Sequence, residues 1–137
     1  MSARSFVDTN VLVYTDDADS PDKQLAALDL VADLRREGCG VLSTQVLQEY
    51  FVAATRKLGV PERVARRKVE LFAGLDLQVI DLTDVLAAAD LQIVHRLSYW
   101  DSLILASAKR SGCTLLYTED LDSGSTLAGV EIRNPFA

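Results

Sequence analysis

Ser5-Phe6-Val7-Asp8-Thr9-Asn10-Val11-Leu12 sets the terms for the rest of the chain. Residues 4–7 read as a short buried strand, and Asp8-Thr9-Asn10 as a turn into a helix, because short oxygen-bearing side chains cap exposed backbone N–H groups. An apolar run that ends on a carboxylate is costly. Removing that charge from water costs several kcal/mol, as order of magnitude, unless it is paired, neutralised or bound to a metal. Three further stretches repeat the arrangement: Gln45-Val46-Leu47-Gln48-Glu49-Tyr50-Phe51, Tyr99-Trp100-Asp101-Ser102-Leu103-Ile104-Leu105 and Leu115-Leu116-Tyr117-Thr118-Glu119-Asp120-Leu121. None of the four contains an Arg or Lys. If the fold gathers these acids in one place, a hard divalent cation is the economical partner.

Outward from this opening, short apolar strands alternate with helices. Residues 16–21 form a loop, with Ser20 as N-cap and Pro21 at the first helical position of a helix running to 37. Its apolar face is expected along Leu25, Leu28, Ala32 and Arg35, widened by Leu30, Val31 and Leu34, and Gly38 and Gly40 end it. A strand at 41–43 precedes helices at 44–58 and 61–74, and a third strand falls at 77–80. Thr83-Asp84 caps a helix to 96, another covers 99–111, and strands follow at 115–117 and 130–132. This order predicts an α/β fold with a short, mainly parallel sheet of four or five strands covered by helices on both faces. In such a sheet ligands bind beyond the carboxyl ends of the strands, near the topological switch point. Asp8, Glu49, Asp101 and Asp120 are all placed for that edge, at separations only a fold can close.

The 137 residues suit one domain, 1–137, and 49% hydrophobic with 25% charged residues exclude a disordered chain. A net charge of −6 argues against a broad nucleic-acid-binding surface. Even so, Arg56, Lys57, Arg63, Arg66, Arg67 and Lys68 crowd one segment, either as a solvated helix face or as a patch facing substrate or partner. Cys39 and Cys113 lack CxxC spacing and read as small core residues. No leader pattern opens the chain and no apolar run is long enough to span a bilayer, so a reducing, cytoplasmic setting is expected.

With these residues placed, the chain resembles the PIN-domain family, and within it the VapC-type toxins of toxin–antitoxin modules. Phe6-Val7-Asp8-Thr9-Asn10-Val11-Leu12-Val13-Tyr14 is similar to the family's opening motif. Glu49, Asp101 and Asp120 follow in the family's order, and Ile132-Arg133-Asn134-Pro135-Phe136 is similar to the close of one branch. The resemblance implies a PIN-like three-layer domain and an endoribonuclease that uses Mg²⁺, or Mn²⁺, to cut single-stranded or loop RNA. It also implies a cognate antitoxin protein and a homodimer. Asp8 and Asp101 are then the leading metal ligands. Glu49 and Asp120 complete the catalytic cluster directly or through water, with Glu119 and Asp122 as neighbours that a small register shift would substitute. Asn10, Ser43 and Thr118 are candidates to orient ligands, or are plain caps.

Other readings compete. His95 is read as partly exposed helix surface, and Trp100 as a core anchor more than a base-stacking platform. An aspartyl-phosphate phosphatase needs a second Asp where Asn10 stands, and a receiver domain needs a strand-end Lys that is not evident. A PIN-like module that binds RNA or protein without cutting remains as the alternative function.

Overall fold

Phe6 and Val7 expose no surface, and the strand that holds them is the centre of the sheet. The structure is a computed structural model describing residues 2–137. In chain order its elements are β1 (Ser5–Val7), α1 (Thr9–Tyr14), α2 (Pro21–Glu37), β2 (Gly40–Ser43), α3 (Thr44–Lys57), α4 (Glu62–Phe72), β3 (Asp76–Gln78), α5 (Leu82–His95), α6 (Tyr99–Arg110), β4 (Leu115–Tyr117), β5 (Thr126–Leu127) and β6 (Val130–Arg133). Among the described residues these strands form one sheet in the order β3-β2-β1-β4-β6-β5, parallel throughout except for β5. The chain steps from β1 to β2 to β3 in one direction, then crosses back to β4 on the other side of β1. Right-handed crossovers in opposite directions put α1–α4 on one face and α5–α6 on the other. Consistent with that, α1 packs on α2 and α3, α3 on α4, and α5 chiefly on α6. The expected α/β architecture, with a mostly parallel sheet flanked by helices, is what the chain forms.

Several expectations need correction. The sheet has six strands, not four or five, because Thr126–Leu127 pairs antiparallel with Val130–Arg133. The two residues between them, Ala128 at φ 51° and Gly129 at φ 83°, both occupy the left-handed region that a tight hairpin turn demands. Strand β3 ends at Gln78, and Val79 beyond it is 62% exposed. On α2 the buried residues are Ala27, Val31 and Leu34, whereas Leu25, Leu28, Ala32 and Arg35 face solvent. Ser20 holds the N-cap position there without a side-chain cap bond. Helix α5 is capped by Asp81, whose side chain accepts from Asp84 N while Asp84 accepts from Asp81 N. Cys39 and Cys113 are free and buried, as expected of core residues.

The basic segment divides into a structural lysine and solvated arginines. Lys68 Nζ donates to Asp16 Oδ1 at 2.6 Å and to Thr15 Oγ1 at 2.8 Å, while the buried Tyr50 hydroxyl donates to Asp16 Oδ2 at 2.5 Å. Burial, and then Asp16 beside it, hold the Tyr50 phenol far above its ordinary value, so it stays a donor. This network ties α3 and α4 to the turn after α1. By contrast, Arg66 and Arg67 pair with Glu70 on their own helix and remain mostly exposed. Replacing Lys68 by Met leaves Asp16 short of its cation and should cost about 3 kcal/mol in urea unfolding. Arg66→Ala and Arg67→Ala should each stay within about 0.5 kcal/mol of the parent.

Candidate metal centre

The direction in which the chain steps across the sheet reverses between β1 and β4, which makes their carboxyl ends the switch point. Asp8 follows β1 and caps α1, and its N–H donates to Tyr117 O at 3.0 Å, tying the two strand ends together. Thr118 and Asp120 follow β4. Asp101 sits in the first turn of α6, where Ser98 Oγ accepts from its N–H at 3.1 Å. The result is one carboxylate oxygen from each of Asp8, Asp101 and Asp120 within 4.8 Å of the others.

Hydrogen bonds fix two of these acids. Asp8 Oδ1 accepts from Thr9 N at 2.6 Å, and its Oδ2 from Thr118 Oγ1 at 2.8 Å. Asn10 Nδ2 donates to Asp120 Oδ2 at 3.0 Å, and Asn10 Oδ1 accepts from Glu119 N at 3.3 Å. Thr118 Oγ1 also accepts from Asp120 N at 3.1 Å. Among the described residues no Lys, Arg or His forms an ion pair with Asp8, Glu49, Asp101 or Asp120. Burial therefore pushes Asp8 from its ordinary 3.8 up to about 7, with Asp120 and Asp101 adding repulsion and the Thr118 and Thr9 bonds opposing it. Asp101 is raised by burial and by Asp120, against the Ser98 bond. Clustered carboxylates with no cation of their own, offering hard oxygen donors, fit a divalent metal.

Glu49 stands apart from the trio. It lines the same cleft from α3, and its Oε1 accepts from Thr9 Oγ1 at 2.7 Å. Within the last acidic motif, Glu119 turns to Lys23 Nζ at 2.6 Å and to the Tyr14 hydroxyl at 2.8 Å. Burial would raise Glu119, but these two partners outweigh it and hold the carboxyl below its ordinary value. Asp120, though exposed, brings a carboxylate oxygen into the cluster, and Asp122 does not. Asn10 and Thr118 bond to the acids as anticipated, whereas Ser43 caps α3. The sequence reading missed the Thr9 bond to Glu49, since Thr9 passes for a helix-start residue. It also missed Gln45, buried on α3, whose Nε2 donates to Trp100 O at 3.2 Å. Trp100 itself is 61% exposed in the cleft wall and is no core anchor. The cleft measures about 860 Å³; Arg56 and Lys57 line it, but Arg63, Arg66 and Arg67 do not.

Residues 5–126 match the family model of the PIN domain. The chain belongs to the PIN-domain family. No curated protein matches it significantly. Among solved structures, this PIN domain is similar to Mycobacterium tuberculosis VapC20, a sarcin–ricin loop cleaving toxin. The TM-score is 0.63 at 17% identity, over 85% of this chain and 89% of that one. It is also similar to VapBC2 from Rickettsia felis bound to a promoter DNA fragment, with TM-score 0.62 at 17% identity over 95% and 97% of the two chains. At that identity the likeness is one of fold. No helix among the described residues of the PIN domain is long and apolar enough to cross a membrane.

A pH titration tests the burial of Asp8. Its folded pKa lies above the unfolded 3.8, so the stabilisation it contributes is complete below that value and lost as pH rises through about 7. In chelator, the melting temperature should fall from pH 5 to pH 7.5, and Asp8→Asn should flatten that fall. Parallel slopes for parent and variant would show that Asp8 is not held against ionisation.

Proposed function

We propose that this protein is a metal-dependent endoribonuclease that cuts single-stranded or loop RNA and acts as the toxin of a toxin–antitoxin pair. The observation that carries the reading is the convergence of Asp8, Asp101 and Asp120 at the switch point, none of them ion-paired among the described residues. Membership of the PIN family and the likeness in fold to VapC20 and VapBC2 support it. The three aspartates would hold Mg²⁺, with Mn²⁺ as a substitute, and the bound ion supplies an activated water and charge stabilisation at the scissile phosphate.

The chain's own residues divide the remaining work. Thr118 and Asn10 aim the Asp8 and Asp120 carboxylates by donating to them, so the ligand oxygens need not reorganise. Glu49, outside the trio, completes the acidic lining and acts on bound water, with Thr9 fixing its orientation. Arg56 and Lys57 at the end of α3 give the cleft a positive margin for backbone phosphates. The same acidic centre is where a cognate antitoxin would place a basic side chain, and a homodimer is the assembly proposed.

Cleavage of a labelled RNA hairpin with Mg²⁺ tests the reading. Asp8→Asn and Asp101→Asn should each lower the rate by at least about a hundredfold, and Thr118→Val by about 10–100-fold. Excess chelator should abolish cutting and Mn²⁺ restore it. Undiminished cleavage by the aspartate variants rules out catalysis through these residues. RNA binding by the parent with no cleavage at any metal concentration favours a non-catalytic PIN-like module.

A further inference from the structure

The residue just before Asp101 sits where a large apolar ring is least expected. Trp100 is the one tryptophan in the sequence, and it stands 61% exposed in the first turn of α6. Its position is nonetheless fixed. The Tyr99 ring meets it edge-on at 5.1 Å and 85°, and Gln45 holds its carbonyl from α3. The acid-lined cleft runs along one side of this ring. Next to it opens a second recess of about 490 Å³, walled by Ile80, Val85, Tyr99 and Leu103, and the two spaces share Gln45, Gln48, Glu49 and Trp100.

Among the described residues no Lys or Arg lines the second recess, so they give a phosphate nothing to pair with. It offers flat aromatic surface, aliphatic walls, side-chain amides and the Glu49 carboxylate. Gln45 is 6% exposed, and its Oε1 has no hydrogen-bond donor among the described residues. An unmet acceptor beneath an aromatic wall suits the N–H edge of a planar heterocycle.

We propose that Trp100 and the recess beside it bind an unstacked base of the RNA strand, one flanking the scissile phosphate at the proposed metal centre. This rests on the nuclease reading and adds to it a determinant of substrate form. The junction with the cleft favours a base over a protein side chain, because one strand then supplies both backbone phosphates to the Arg56 and Lys57 margin of the cleft and a flat group to the ring. Every base has a π-face, so the contact selects for unpaired nucleotides more than for sequence. Gln45 positions Trp100 by donating to its carbonyl and leaves its Oε1 for the edge of the base.

The lone tryptophan makes its own reporter. In cleavage-dead Asp8→Asn protein, a single-stranded RNA of about twelve nucleotides should quench Trp100 fluorescence. An abasic ribose-phosphate strand of equal length should bind more weakly and leave the fluorescence unchanged, with binding followed by anisotropy. In the otherwise unaltered protein, Trp100→Leu should raise KM about tenfold or more with kcat largely kept, and Trp100→Phe should restore most of the loss. Because the ring is exposed, both variants should melt like the parent, which keeps the comparison free of folding defects. RNA that binds without changing the fluorescence, together with a parental KM for Trp100→Leu, overturns the proposal. A Trp100→Leu protein that cuts normally but changes its sedimentation overturns it too, and assigns the recess to a second copy of the chain. A parent protein that neither binds nor cuts RNA in Mg²⁺ removes the nuclease reading as well, and is told apart from the other outcomes by that alone.

Discussion

Asp8 and Asp84 are the two buried acids among the described residues, and the chain treats them in opposite ways. Asp84 lies between α5 and α6 with Arg110 Nη1 at 3.0 Å, a buried charge answered by a protein cation. Asp8, 5% exposed at the end of the central strand, receives hydrogen bonds and no cation, while Asp101 and Asp120 are brought up beside it. Two half-buried acids elsewhere follow Asp84: Asp16 has Lys68 and Glu119 has Lys23. Repulsion left standing at one place in a chain that neutralises it elsewhere marks that place for an external positive charge. The proposed metal centre, the cleft around it and the basic margin at Arg56 and Lys57 all take their meaning from that imbalance.

The architecture explains why four distant segments can serve one centre. Strand β1 sits between β2 and β4, so the loops after β1 and β4 leave the sheet side by side at the switch point. Helix α6 returns to the same edge and presents Asp101 within its first turn, and α3 brings Glu49 from the opposite face. Asn10 spans the gap by bonding to both Asp8 and Asp120. A substitution at Asn10 or Thr118 therefore acts on geometry across the switch point, not on a single ligand.

The parallel sheet and its helices were legible in the sequence because buried strands are short apolar runs, and caps and glycines punctuate the helices. The three aspartates were legible because each interrupts apolar sequence without a basic neighbour. Other features leave weaker traces. Strand β5 is two residues long, and its turn uses Ala128 where an asparagine or glycine would have announced it. The buried stripe of α2 was only partly placed: Val31 and Leu34 are buried as expected, but Leu25 and Leu28 are apolar and exposed, so periodicity set the centre of the stripe on the wrong side. Glu49 belongs to the cleft but not to the trio, and residue order cannot distinguish those two positions. Trp100 was misread for the reason that makes it interesting: hydrophobicity predicts burial, and here the ring lines a cleft.

Proton release on metal binding tests the central claim most directly. Asp8, with a pKa near 7, must give up its proton to become a ligand. Calorimetric titration of the parent with Mn²⁺, repeated in buffers of different ionisation enthalpy, should show proton release at pH 6–7 that disappears by pH 9. Asp8→Asn should bind more weakly and release none. Binding without proton exchange at pH 6–7, or equal affinity in Asp8→Asn and Asp101→Asn, would contradict the account.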